Sequence, residues 1–131
     1  MYTPSLSIIA QRTAMDCAVA CLAMLCGVEY EVALAAFRHN VSARGATIRQ
    51  LQQAARRLKT TLVWSRRRVD VETETGLLCV RSAQWPNDHL VVLKEGQIID
   101  TDWTLWDADV FLAAYKAKPI SFLTFKEGEE C

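Results

Sequence analysis

A cysteine opens the most apolar run of this chain. In QRTAMDCAVACLAMLCG, residues 11–27, Cys17 follows Asp16 and precedes a row of small apolar side chains. A thiol there can be a buried apolar atom, a disulfide partner, a metal ligand or a nucleophile. Aspartate is a good N-cap residue, so Cys17 is expected in the first turn of a helix. Free N–H groups and the helix dipole at that point favour a thiolate, which is the species that attacks an acyl carbon. Cys21 and Cys26 lie deeper in the same run without that help and read as small buried hydrophobes. Cys79, in the middle of GLLCV, reads as core, and terminal Cys131 has no reading.

A cysteine nucleophile needs a base, and the chain has 2 histidines. His39, in FRHN, reads as a surface residue at a helix end. His89 follows WPND and begins the apolar run HLVVL, so it is expected at a strand mouth after a turn, with its ring free to reach outward. An imidazole there can face a thiolate and later protonate a leaving group. A histidine in that role is normally oriented by an acceptor on its other nitrogen. The return arm IIDTD carries Asp100 at the end of its apolar part, with Asp102 as its rival. Gln11 could supply an amide donor to an oxyanion, beside the backbone N–H of Cys17. Trp85, next to PNDH, could form a wall of such a cleft, whereas Trp103 and Trp106 are expected in the core.

These groups must be held by an ordered scaffold. Cys17 to Cys26 reads as a helix stopped by Gly27. Tyr30 to Asn40 reads as a second helix with Val32, Leu34, Ala35, Ala36 and Phe37 largely on one face. A third opens at Thr47, where T-x-x-Q to Gln50 makes a capping box before Ile48, Leu51, Ala54, Ala55 and Leu58. After this the texture turns to strands: Thr60 to Ser65, Gly76 to Ser82, and a hairpin from His89–Leu93 through Gly96 to Ile98–Asp100. DADVFLAAY is expected to be a short helix capped by Asp107, and Ile120 to Phe125 a last strand before the polar tail of residues 126–131. Helices first and strands after, without βαβ alternation, predict an α+β fold with one helical lobe on an antiparallel sheet.

The bulk numbers exclude other classes. The chain has 131 residues, enough for one domain over 1–131, and its 15 basic and 15 acidic side chains cancel. No nucleic-acid partner is implied. The run SRRR is followed by VDVETET and reads as a solvated edge. No stretch reaches the ~20 apolar residues of a membrane span, and the N-terminus does not read as a signal peptide. A cytoplasmic protein without disulfides is expected, the more so with an odd 5 cysteines. C-x3-C is not the paired spacing of a structural zinc, so neither metal nor cofactor is expected. Oligomeric state is not written in the sequence.

The order Q-x5-C in QRTAMDCAVACLAML, then HLVVL, then IIDTD resembles the bacteriocin-processing peptidases of family C39, within the papain-like cysteine proteases. The resemblance spans essentially the whole chain, and DCAVACLAM is its most specific part. Ala18 stands where the family usually has Gly, and Thr101 where it often has Pro. The resemblance implies a papain-like fold and a thiol peptidase acting on a peptide or protein. In it Cys17 would be nucleophile, His89 base, the hairpin acid Asp100 orienter and Gln11 oxyanion donor. From their positions beside Cys17 and His89, Asp16 and Trp85 are expected near the substrate. Best-known members cut leader peptides after two glycines at the cytosolic end of an exporter; this sequence shows no transmembrane span and no nucleotide-binding motif. Two other outcomes stay open on the same residues: a catalytically idle module that binds a peptide, and a deamidase or acyltransferase using the same thioester.

Overall fold

The computed structural model describes residues 8–126. Chain order begins with α1 (Cys17–Cys26), α2 (Tyr30–Ala36), α3 (Val41–Arg44) and α4 (Ile48–Arg57). It continues with β1 (Leu62–Ser65), β2 (Thr75–Arg81), β3 (His89–Lys94), β4 (Gln97–Ile99) and β5 (Leu105–Asp107), then α5 (Ala108–Tyr115) and β6 (Lys118–Phe125). The strands form one sheet in the order β1-β6-β2-β3-β4-β5, and every pairing is antiparallel.

Helix α1 is the centre of the core. Ala18 to Leu25 are all buried, so it has no polar face, as its sequence demands. Gly27 adopts φ 66° and ends it, a conformation only glycine takes without strain. α4 shows the opposite pattern, with Leu51, Ala54 and Ala55 buried along one stripe. Its capping box forms in full: Gln50 N–H donates to Thr47 Oγ1 at 3.1 Å, and Thr47 N–H donates to Gln50 Oε1 at 2.9 Å.

The sheet is covered on both faces. Leu77, Leu90, Val92, Ile99 and Leu123 pack with α1, α2 and α4. Their alternating neighbours Leu78, Val91, Leu93, Ile98 and Phe122 pack with Phe111 of α5. This explains why GLLCV and HLVVL are nearly continuous apolar runs: each residue has a buried face to fill. The helices are therefore not all in one lobe, since α5 lies across the sheet from α1. β3 and β4 turn back through Glu95 (φ 44°) and Gly96 (φ 89°), the doubly left-handed geometry of a tight hairpin.

Several expectations are corrected. The second helix stops at Ala36, because Phe37 swings to ψ 137° and buries its ring in the core. Val32 and Ala35 consequently face outward, and the short α3 follows instead of further α2. β5 was not legible, and β6 begins two residues early at Lys118. Asp107 occupies the N-cap of α5 without a side-chain capping bond. No tryptophan is fully buried, and Trp103, expected in the core, is 70% exposed at the tip of the β4–β5 turn. Cys79 is only half-buried. Cys26 is disulfide-bonded, contrary to its reading as a plain apolar core atom. Cys131 and the polar tail, apart from Lys126, lie outside the described residues. Arg67 pairs with Glu74, so the SRRR run is answered by the acidic segment after it. Among the described residues no single helix is long and apolar enough to cross a membrane.

Candidate active site

The site forms where the start of α1 meets the first residue of β3. Cys17 is the first residue of α1, and the carbonyl of Asp16 before it accepts from Val19 N–H at 3.0 Å. The Asp16 side chain does not cap the helix, and it does not line the cleft. It is fully buried and accepts from the backbone N–H of Arg12 and of Thr13, both at 3.0 Å, and from the Tyr30 hydroxyl. The expected capping of α1 by the Asp16 side chain is thereby corrected. Its carboxylate instead ties residues 12–16 into a closed loop against α2. Burial opposes its charge, but the bonds from Tyr30, Arg12 and Thr13 hold its pKa below the ordinary 3.8. Burial and the same carboxylate push Tyr30 up to about 12.

His89 meets Asp100 directly. Its Nε2 lies 2.6 Å from Asp100 Oδ1, and that carboxylate, 5% exposed, also accepts the backbone N–H of Thr101 at 2.7 Å. A straight continuation of the β3–β4 register, in which Val92 faces Ile99, would instead set Asp102 across from His89. The chain turns off before then. Asp100 N–H donates to Thr104 O at 2.9 Å and Trp103 N–H to Asp100 O at 3.3 Å, so Asp102 is carried outward and accepts from Thr104 N–H at 3.1 Å. Of the two rival carboxylates, the geometry gives His89 to Asp100.

With Nε2 engaged by Asp100, Nδ1 is the ring nitrogen left for a thiol. Cys17 stands on that cleft. Burial opposes a charged His89, but the bond to Asp100 and then hydrogen bonding with Cys17 outweigh it, and the ring is pushed from 6.5 up to about 9. Trp85 packs edge-on against His89 with ring centroids 5.4 Å apart, and Tyr115 backs Trp85 at 5.1 Å. The loop carrying Trp85 is pinned by Arg81, which donates to both Asp88 oxygens at 2.8 and 2.9 Å, and by Trp85 N–H to Ser82 O at 3.1 Å. The cleft encloses about 480 Å³, with Gln11, Cys17, Trp85, His89, Asp100 and Tyr115 in its lining.

Gln11 reaches the same cleft from the loop held by Asp16. Its Nε2 donates to Thr13 O at 2.7 Å, and its Oε1 accepts from the Thr101 hydroxyl. Its backbone N–H donates to Thr101 O at 2.8 Å. The other thiols are poor rivals of Cys17. Cys21 is buried and donates to Leu90 O at 3.2 Å, and burial pushes its pKa well up. Burial, followed by the charge of Asp88, pushes Cys79 up to about 11. Sequence reasoning missed Tyr115 and Thr101. Tyr115 comes from a remote helix with no local signal, and Thr101 stood out only as a departure from the family pattern between two candidate acids.

Comparison with known proteins places this geometry. The profile of the peptidase C39 family matches residues 5–119, and the chain belongs to that family. No curated protein sequence matches it significantly. Its fold is similar to that of a double glycine motif protease from an AMS/PCAT transporter, solved in complex with the leader peptide. The TM-score is 0.66 at 21% identity, covering 93% of this chain and 91% of that one. It is also similar to the peptidase domain of Streptococcus ComA, a bifunctional ABC transporter involved in quorum sensing. There the TM-score is 0.63 at 14% identity, covering 92% and 97%. The peptidase domain of Streptococcus mutans ComA gives 0.52 at 16% identity, covering 89% and 98%. The architecture is thus the α+β papain-like fold of C39 peptidase domains.

Proposed function

We propose that this chain is a thiol peptidase acting on an extended peptide, with Cys17 as nucleophile, His89 as acid and base, and Asp100 as orienter. The observation that carries the reading is the disposition of the His89 ring. One nitrogen is held by the buried Asp100 carboxylate, and the other side of the ring faces the cleft that holds Cys17. Membership of a peptidase family supports it. The peptide class of the substrate is supported by a fold neighbour solved with a leader peptide.

In this reading the ring holds its proton at neutral pH and the Cys17 sulfur attacks as the thiolate. A bond forms from sulfur to the substrate carbonyl carbon, and the carbonyl oxygen takes the negative charge. The Cys17 backbone N–H at the start of α1 and the Gln11 amide donate to that oxygen. As the C–N bond breaks, His89 gives its proton to the departing amine. Water then attacks the thioester while His89 takes a proton from it. The C–S bond breaks, and the acid product and the thiolate–imidazolium pair are left. Asp100 keeps the ring in the required tautomer and plane throughout.

The test is a defined pool of peptides incubated with the chain and followed by mass spectrometry. The reading expects cleavage products that vanish in Cys17→Ala and in His89→Ala. Peptide binding that survives Cys17→Ala, without cleavage of any pool member by the wild type, would assign the cleft to an idle binding module. A mass change confined to a side-chain amide, or addition of an amine, would move the same thioester chemistry to deamidation or acyl transfer.

A further inference from the structure

Thr101 touches both ends of the site. It is fully buried. Its backbone N–H donates to Asp100 Oδ1 at 2.7 Å, on the same oxygen that holds His89. Its carbonyl accepts the Gln11 backbone N–H at 2.8 Å. Its hydroxyl bonds the Gln11 side-chain oxygen.

The direction of that last bond can be worked out. A primary amide has an acceptor end and a donor end that differ little in shape. Gln11 Nε2 lies 2.7 Å from the carbonyl of Thr13, and a carbonyl can only accept. The nitrogen end is therefore on the Thr13 side and the oxygen end faces Thr101, whose hydroxyl must donate. One amide hydrogen is spent on Thr13, and no described acceptor takes the other. If the amide flipped, its oxygen would face the Thr13 oxygen, two acceptors in contact without a proton between them.

We propose that Thr101 is a positioning residue: its hydroxyl fixes the orientation of the Gln11 amide, while its backbone ties that amide to the carboxylate that holds His89. The inference rests on the peptidase reading for its kinetic consequence, but not for its structural one. A donor aimed at an oxyanion acts on the transition state rather than on substrate binding. Loss of the lock therefore lowers kcat and leaves KM in place.

The experiment compares the wild type with Thr101→Val, Thr101→Ser and Thr101→Val combined with Gln11→Ala. Thr101→Val keeps shape and backbone bonds and removes the hydroxyl. Thr101→Ala, which fits wherever threonine does, serves if valine impairs folding. The expected result is a fall of roughly tenfold in kcat, as part of the about 100- to 1000-fold that one such donor is worth. KM stays unchanged, serine restores the rate, and valine has no further effect once Gln11 is alanine. An unchanged kcat in Thr101→Val, or a full valine effect in the Gln11→Ala background, overturns the proposal. A second readout is independent of turnover. The side-chain 15NH2 signals of Gln11, assigned by their loss in Gln11→Ala, are expected to move toward the free-glutamine position in Thr101→Val and not in Thr101→Ser. Signals that do not move overturn the amide lock even if no peptide is cleaved. Signals that move in a protein without turnover keep the lock and sink only the peptidase reading.

Discussion

The Asp100 carboxylate receives the His89 ring at 2.6 Å from a turn that breaks the β3–β4 ladder. The neighbouring acid, Asp102, is turned out to solvent by the same break. Asp100→Asn is therefore expected to lower turnover by roughly 100-fold or more, since a misoriented ring loses its tautomer. Asp102→Asn is expected to cost far less, because the Asp102 carboxylate stands on the rim of the cleft and accepts from Thr104 N–H rather than from the His89 ring. Steady-state rates of the two variants on one peptide check this, and equal losses would refute the assignment.

His89 gives a pH signature in stability. Its ring is raised from 6.5 to about 9 by Asp100 and Cys17 acting against burial. A group whose pKa rises on folding contributes its full stability below the unfolded value and loses it as pH climbs through the folded one. The urea midpoint of the wild type is expected to exceed that of Asp100→Asn most below pH 6.5, with the gap closing toward about 9. A gap that stays flat across that window would show that the ring is not held charged.

Asp16 behaves with the opposite sign. Its carboxyl is held below 3.8 by Tyr30 and two backbone donors, so its contribution is complete above that range and is lost as pH falls through it. Asp16→Ala leaves the buried Tyr30 hydroxyl without its acceptor and is expected to cost about 1–3 kcal/mol at neutral pH. Denaturant titration measures it. A neutral effect would mean that the loop 11–16 does not depend on this carboxylate.

How much of this was legible in the sequence depended on whether local pattern or chain crossing decided the outcome. The capping box of α4, the Gly27 stop and the Gly96 hairpin were legible, because each is a local geometric demand of a few residues. Cys17 and His89 were legible as residues of one cleft because a helix start and a strand start are places where a side chain is left facing outward. Asp16 was misread because a good capping residue can be claimed by other donors: Tyr30, 14 positions away, is not predictable from spacing. The choice between Asp100 and Asp102 was not legible either. Strand period alone puts both on one face, and only the turn at 100–104 separates them. The exposed Trp103 shares that cause, since it sits at the turn with φ 76°.

Gln11→Ala is expected to fold and to lose about 100- to 1000-fold in kcat with little change in KM. The loop bonds that the Asp16 carboxylate accepts from the Arg12 and Thr13 N–H groups do not involve the Gln11 side chain. Steady-state kinetics check the split. A loss carried by KM alone would place Gln11 in substrate binding instead of the oxyanion role. Cys21→Ser, at a thiol that donates to Leu90 O inside the core, is expected to keep activity.

The central claim is that His89 and Cys17 work as one pair. It is tested most directly by the rate of Cys17 alkylation at neutral pH, with the labelled residue mapped by mass spectrometry, in wild type and His89→Ala. Cys17 is expected to be labelled ahead of the other cysteines, because a charged ring faces it. His89→Ala is expected to slow that labelling sharply. Slow, unselective labelling of wild-type Cys17 that His89→Ala leaves unchanged would contradict the pair and leave the opening cysteine as a packing residue.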